Sequence, residues 1–170
     1  MKHLYFVRHG LSEANKEGRW AGRHTETPLA PEGRLQAEAA GKEAKLLGID
    51  HIISSPQSRA HETAQIIAST LGLPAKSVEL NSLFVERGYG VLEGTPWKPD
   101  MNVDGFADVE TTDTLLHRMY LAHEFLLTLP HDVVLVVGHG AAGRALRHII
   151  HPHIPVHTQP FPNAQIVQLI

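Results

Sequence analysis

Apolar residues along the chain gather into short runs, and between these runs they recur every third or fourth position. His3 to Val7, His51 to Ser54, Val133 to Val137 and Ala164 to Ile170 are rich in β-branched or aromatic residues and read as strands. The first three have the apolar character of buried strands. Pro31 to Leu47 reads as a helix that opens on proline and ends at Gly48, and Ser58 to Leu71 as a second that follows Ser55-Pro56 and stops at Gly72. A third helix, from about Thr114 to Leu129, carries Leu115, Met119, Leu126 and Leu127 on one side, which is expected to pack on the sheet, and it ends before Pro130. The alternation predicts an α/β protein, a three-layer α/β/α sandwich around a mostly parallel central sheet. Pro152, Pro155, Pro160 and Pro162 mark His151 to Asn163 as an ordered surface loop leading to a final edge strand. The polar, irregular stretch Gly94 to Asp113 is a candidate lid.

Composition narrows the setting. At 170 residues, 42% hydrophobic and 19% charged, the chain can bury one good core but not two, so a single domain over residues 1–170 is expected. A formal net charge of -3 gives no broad attraction for nucleic acid or an anionic membrane, and neither is expected as a partner. Any anion has to be captured by local basic residues. The absence of cysteine removes disulfides, thiolate zinc sites and thiol nucleophiles. The apolar run Leu4 to Val7 is too short for a signal peptide, and no stretch approaches the roughly 20 residues that span a bilayer. A cytoplasmic location is expected, and the oligomeric state is left open.

In open α/β sheets, ligands sit beyond the carboxyl ends of the strands. Arg8-His9-Gly10 follows the first predicted strand, Ser54-Ser55-Pro56 with Arg59 closes the second and opens a helix, and Gly138-His139-Gly140 follows Val137. Arginine donates paired hydrogen bonds from a planar fork, and a helix N-terminus adds free N–H groups and a positive dipole end. One such residue alone would be an ordinary surface arginine or structural histidine. Three together describe a pocket for a dianion.

These residues resemble a known family, the histidine phosphatases of the phosphoglycerate mutase-like superfamily. Its opening pattern is matched by Phe6 to Asn15, with Arg8-His9-Gly10, Ser12 and Asn15 in place. Its second element is matched by Ser54-Ser55-Pro56-Gln57-Ser58-Arg59-Ala60 followed by Thr63-Ala64, its third by Glu86 to Gly94 with Gly90 and Glu93, and its last by Gly138-His139-Gly140. All four occur in family order. The resemblance implies in-line attack on phosphorus by His9, followed by hydrolysis of a phosphohistidine. It makes Arg8, Arg59 and His139 the groups that spread the charge of the transferring phosphoryl. Arg8, Asn15, Arg59, His139 and Gly140 become the substrate-binding positions. Glu86 becomes the proton donor to the leaving alkoxide, then the acceptor of a proton from water. The neighbouring arginine and second histidine are expected to lower the pKa of His9. The implied substrate is a small-molecule phosphomonoester or a phosphoprotein, with no cofactor and no metal. Glu93 is read as a support for the pocket or a turn, and Ser12 and Glu13 as polar neighbours.

Two departures bear on this reading. Residues Gly22 to Ala30 hold one residue more than the family pattern, with Glu26 where Asp is usual and Ala30 in place of Thr, although Gly33 and Gln36 follow as expected. Arg23 and His24 are read there as parts of a solvated loop. Between Arg87 and Arg118 the only basic residue is Lys98, so little positive charge remains to retain a phosphorylated product for transfer back. Water is therefore the expected acceptor, and a phosphatase is favoured over a mutase. Of the rival readings, Gly138 to Gly143 satisfies the dinucleotide fingerprint G-x-G-x-x-G, but no acidic residue follows Asp132 to bind a ribose. The 13 histidines include a cluster at His148, His151, His153 and His157, read as surface or partner-facing because no H-E-x-x-H helix accompanies it. A non-catalytic module for phosphorylated ligands would not need both His9 and Glu86.

Overall fold

The computed structural model describes residues 1–99 and 101–170. Among them five strands, β1 (His3–Arg8), β2 (His51–Ser54), β3 (Glu79–Leu80), β4 (Val133–Gly138) and β5 (Ile166–Gln168), form one sheet in the order β3-β2-β4-β1-β5. All neighbours run parallel except β5, which lies antiparallel to β1 at one edge. The helices are α1 (Glu13–Lys16), α2 (Pro31–Ala44), α3 (Ser58–Thr70), α4 (Thr112–Leu127) and α5 (Gly140–Ile150).

Strand side chains alternate between faces, and here both faces are covered. Leu4, Phe6, Ile53, Val134 and Val136 enter a core shared with Leu115, Met119 and Leu126 of α4 and Ala142, Ala145 and Leu146 of α5. Tyr5, Val7, Ile52, Leu135 and Val137 enter the other, against Ala40 and Ala44 of α2 and Ala60, Ala64 and Ile67 of α3. Burial on both faces is why these strands read as unbroken apolar runs, and it produces the three layers. Small residues let α2 and α3 approach each other: a Cβ on Gly41 would stand 2.6 Å from Thr70 Cβ.

The element boundaries differ from the sequence reading where hydrogen bonding, not hydrophobicity, decides. Helix α2 ends at Ala44 rather than Leu47, because Leu46 and Leu47 bond to Glu43 and Ala44 in tighter turns that close at Gly48, whose φ is 67°. Helix α4 begins at Thr112, where the Thr111 side chain caps the Thr114 N–H. Leu115, Met119 and Leu126 of α4 are buried, but Leu127 is 56% exposed, and Ala122 takes the fourth inward position. Strand β5 covers only part of Ala164 to Ile170, and the two-residue strand β3 was not anticipated. The described part of residues 94–113 is tied to the body by the ion pair of Asp104 with Arg87, a bridge between Tyr89 and Val109, and buried Val103.

Candidate active site

Strands β1, β2 and β4 end side by side, which brings their flanking residues together. His9 follows β1, is 3% exposed, and bonds through its own N–H to the Gly138 carbonyl at the end of β4. Its carbonyl accepts from Asn163 Nδ2 at 2.9 Å. Ring atom Nδ1 lies 2.6 Å from the Gly10 carbonyl oxygen. A carbonyl can only accept, so Nδ1 carries the proton and Nε2 of the neutral ring keeps its lone pair. The ring meets that of His139 edge-on, with centroids 5.2 Å apart.

Glycines make this turn possible. A Cβ on Gly10 would stand 2.3 Å from the Gly33 carbonyl oxygen, and one on Gly33 would stand 2.1 Å from that of Leu11. Gln36 on α2 accepts from the Leu11 N–H at 2.8 Å, and Thr63 on α3 accepts from the Gly10 N–H at 3.1 Å while donating to the Arg59 carbonyl. The loop after β1 is thus clamped between two helices.

The cationic groups converge around His9. Arg59 is fully buried, with Nη1 donating to the Thr25 carbonyl at 2.8 Å and Nη2 to that of Gly22 at 3.2 Å. Arg8 donates to the Phe161 carbonyl and, at 3.4 Å, to Asn15 Oδ1. His139 Nε2 lies 2.8 Å from Ser55 Oγ. Among the described residues, Nε of Arg8, Nε of Arg59 and Nδ1 of His139 are buried without a protein partner. Leaving a buried donor unpaired costs about 1–3 kcal/mol, and an acceptor-rich group between Arg8 and Arg59 would relieve it; Nε of Arg23 and of Arg147 is unpaired in the same way.

Burial, followed by the charges of Arg59 and Arg8, holds the His9 pKa well below its ordinary 6.5, in spite of the Gly10 carbonyl. Burial leads for His139 as well, followed by Arg59, His9 and Arg8. The expected lowering at His9 is present, but desolvation is its first cause and Arg59 its strongest charge.

Glu86 is 7% exposed and sits at the N-terminus of α5. Its Oε1 accepts from the N–H groups of Arg87 and Ala142, at 2.8 and 3.1 Å, and Oε2 from that of Ala141 at 3.2 Å. The Arg87 guanidinium does not pair with it and turns to Asp104 and the Glu110 carbonyl. Gln57 fixes the backbone of Glu86 by accepting from its N–H at 2.8 Å, while its amide donates to the Gly22 carbonyl. Tyr89 faces the same space, and its phenol pKa is pushed up by burial and then by the charge of Glu86, so it stays protonated.

The loop from Gly22 to Ala30 is structural, not merely solvated. It supplies the carbonyls that hold Arg59, and Glu26 accepts from the Ser58 N–H and hydroxyl at the start of α3. Arg23 pairs with Glu110 at 2.9 Å, while His24 has an exposed side chain. Glu93 accepts from the His24 N–H, the Thr25 hydroxyl and the Tyr89 N–H, so it braces the segment that holds Arg59. Ser12 caps α1 rather than facing the pocket. His148 and His151 are likewise structural, each bonded at 2.7 Å to a backbone carbonyl, of Ile154 and Leu169 respectively, while His153 and His157 are exposed. Among the described residues no group of three or more histidine, aspartate or glutamate side chains is arranged to hold a metal ion.

The sequence reading thus located Arg8, His9, Asn15, Arg59, Glu86, His139 and Gly140, and the fold brings them together. It passed over Gln57, Thr63, Tyr89 and Asn163. The first three lie inside the motifs already quoted and could have been marked there. Asn163 is 154 residues from the carbonyl it holds, and no local pattern announces it.

Comparison with known proteins identifies the family. The sequence profile of the histidine phosphatase superfamily (branch 1) matches residues 4–169. A phosphatase of Bacillus subtilis named PhoE, itself uncharacterised, is 37% identical over 154 residues, covering 86% of this chain and 76% of its own. A probable phosphoglycerate mutase GpmB of Salmonella arizonae is 34% identical over 157 residues, covering 84% and 71% respectively. The solved structure of open reading frame Rv3214 from Mycobacterium tuberculosis superposes with a TM-score of 0.81 at 30% identity, over 97% of this chain and 89% of that one. The chain belongs to the histidine phosphatase superfamily, a superfamily of phosphatases and mutases.

Proposed function

We propose that the protein is a phosphomonoester phosphatase that works through a phosphohistidine on His9. The observation that carries this reading is the state of the His9 ring: neutral, buried beside two guanidinium groups, and held by the Gly10 carbonyl so that Nε2 bears the lone pair. In the first half-reaction Nε2 attacks phosphorus in line as the ester P–O bond breaks, and Glu86 gives its proton to the departing alkoxide. Arg8, Arg59 and His139 hold the equatorial oxygens, whose charge dominates the barrier in phosphoryl transfer. In the second, water attacks the phosphohistidine and loses a proton to Glu86, the P–N bond breaks, and phosphate and the neutral ring return. Three backbone N–H donors fix the Glu86 carboxyl group in place beside the arginines. Water is favoured over returning substrate as acceptor because Lys98 is the only basic residue between Arg87 and Arg118.

Rapid quenching during turnover of a phosphomonoester, followed by mass spectrometry, tests this directly. A base-stable, acid-labile phosphoryl adduct on the peptide containing His9 is the expected result. Undiminished turnover by His9→Ala would overturn the reading.

A further inference from the structure

Ser55 directly follows β2 and is fully buried, and its backbone N–H donates to the carbonyl of Val137 on β4, two residues before His139. This bond between the strand ends sets its hydroxyl beside the His139 ring, 84 residues away in the chain, with Oγ 2.8 Å from Nε2. The hydroxyl has one further neighbour, the backbone N–H of Gln57, which donates to it at 3.3 Å. A hydroxyl has a single proton to give, so the direction of the bond to His139 follows from the groups around it.

Burial, followed by the charge of Arg59, holds the His139 pKa well below 6.5, so at neutral pH the ring carries one proton on one of its two nitrogens. With that proton on Nε2, Ser55 would accept twice, from Gln57 and from His139. Its own proton would then be buried without an acceptor, and Nδ1 would present a buried lone pair with no donor. With the proton on Nδ1, Ser55 accepts from Gln57 and donates to Nε2, and the Nδ1–H alone is unmet. Burying a polar group without a partner is costly, so one such group is preferred to two. The group that remains is a donor, on a ring that lies edge-on to His9 and feels the charges of Arg59 and Arg8. An oxygen of the transferring phosphoryl is the acceptor it lacks.

We propose that Ser55 is a positioning residue: its hydroxyl holds His139 in the Nδ1–H tautomer, so that this histidine meets the phosphoryl group as a hydrogen-bond donor. The same bond separates the two histidines by role. Both carry the proton on Nδ1, but the Gly10 carbonyl leaves Nε2 of His9 bare for attack, whereas the Ser55 hydroxyl covers Nε2 of His139. The part that His139 plays in turnover rests on the phosphatase reading above, while its tautomer does not.

Two-bond proton–nitrogen correlation spectra of protein labelled with 15N-histidine read the tautomer at neutral pH, with His139 assigned as the ring missing from His139→Gln. The wild type should show His139 protonated at Nδ1 and bare at Nε2, and in Ser55→Ala the proton should move at least in part to Nε2. A wild-type ring protonated at Nε2, or a ring unchanged in Ser55→Ala, would overturn the proposal. On a phosphomonoester, Ser55→Ala should lower kcat/KM by about 10- to 100-fold, the usual worth of a group that orients a histidine. Ser55→Cys, which keeps a weak donor of similar size, should recover part of the loss. In the His139→Gln background, Ser55→Ala should cost less than about threefold, because a residue that acts through the ring has nothing left to act on. An undiminished cost in that background would assign Ser55 to holding the strand end and would sink the positioning role. If the wild type hydrolyses no phosphomonoester, the phosphatase reading fails, and the spectra alone decide on Ser55.

Discussion

Two of the molecule's close histidine pairs stand at opposite ends of one sheet, and they have little in common beyond the residue type. His9 and His139 stand beyond the carboxyl ends of β1 and β4, buried, edge to face, among arginines. His51 and His131 stand near the amino ends of β2 and β4, stacked 4.0 Å apart and 3° from parallel. At that end each ring has a carboxylate, Glu79 at 2.8 Å from His51 and Asp50 at 3.7 Å from His131. Burial beside guanidinium groups keeps the first pair neutral. The lesson is that proximity of two histidines does not make a nucleophile. Removal of water beside guanidinium groups does.

The widest separation between the two pairs is expected in catalysis. His9→Ala should lower turnover by about 10⁴-fold or more with the fold intact by circular dichroism, because it deletes the group that becomes phosphorylated. His51→Asn should change turnover by less than about twofold and stability by up to about 1 kcal/mol. Comparable losses in turnover from both variants would erase the distinction.

Glu86→Gln comes next, with an expected loss of roughly 10²- to 10⁴-fold in the phosphorylation step for alkyl phosphates. The amide preserves size but has no proton to transfer. p-Nitrophenyl phosphate releases a stabilised phenolate and should suffer far less. Equal pre-steady-state losses on the two substrates would assign Glu86 to holding the start of α5 instead.

A smaller effect is expected in stability. His9 and His139 are neutral in the folded protein well below pH 6.5, whereas in the unfolded chain they protonate near 6.5. Below that value the unfolded state binds more protons, so stability is full above about pH 6.5 and declines as pH falls toward the folded pKa values. The slope is about 1.4 kcal/mol per pH unit for each histidine. Urea denaturation between pH 7.5 and 5.5 should show a shallower decline for His139→Gln than for the wild type, and parallel curves would contradict the assignment. The smallest expected effect is that of EDTA, which should leave turnover unchanged, since Arg8 and Arg59 supply the positive charge; recovery only with a divalent ion would refute this.

Much of this architecture is legible before the chain is folded. Strands β1, β2 and β4 announce themselves because burial on both faces leaves no polar alternation, and the residues closing them are read directly as pocket candidates. Strand β3 is not legible, since Glu79 and Leu80 have no pattern of their own and become a strand only by lying beside Ile53 and Ser54. Leu127 misleads because one position along a helix is about 100° around it, enough to turn from core to solvent. The supports of the site are hidden for a related reason. Gln57, Glu93 and Asn163 act across 29 to 154 residues on backbone groups, and a backbone partner leaves no mark in the sequence.

The place of β1 in the sheet also bears on how the protein comes into being. Its two neighbours are β4 and β5, whose residues lie between Val133 and Gln168, so the strand leading to His9 is made first and paired last. During synthesis that strand waits with both edges bare while some 125 residues follow, and the loop closures that finally seat it are the longest in the sequence. No nascent fragment ending before β4 can hold His9 against the Gly138 carbonyl, and none ending before Asn163 can hold it from the other side. Assembly of the nucleophile therefore waits for nearly the whole chain, and an unfinished chain carries the residues of the chemistry without the contacts that orient them.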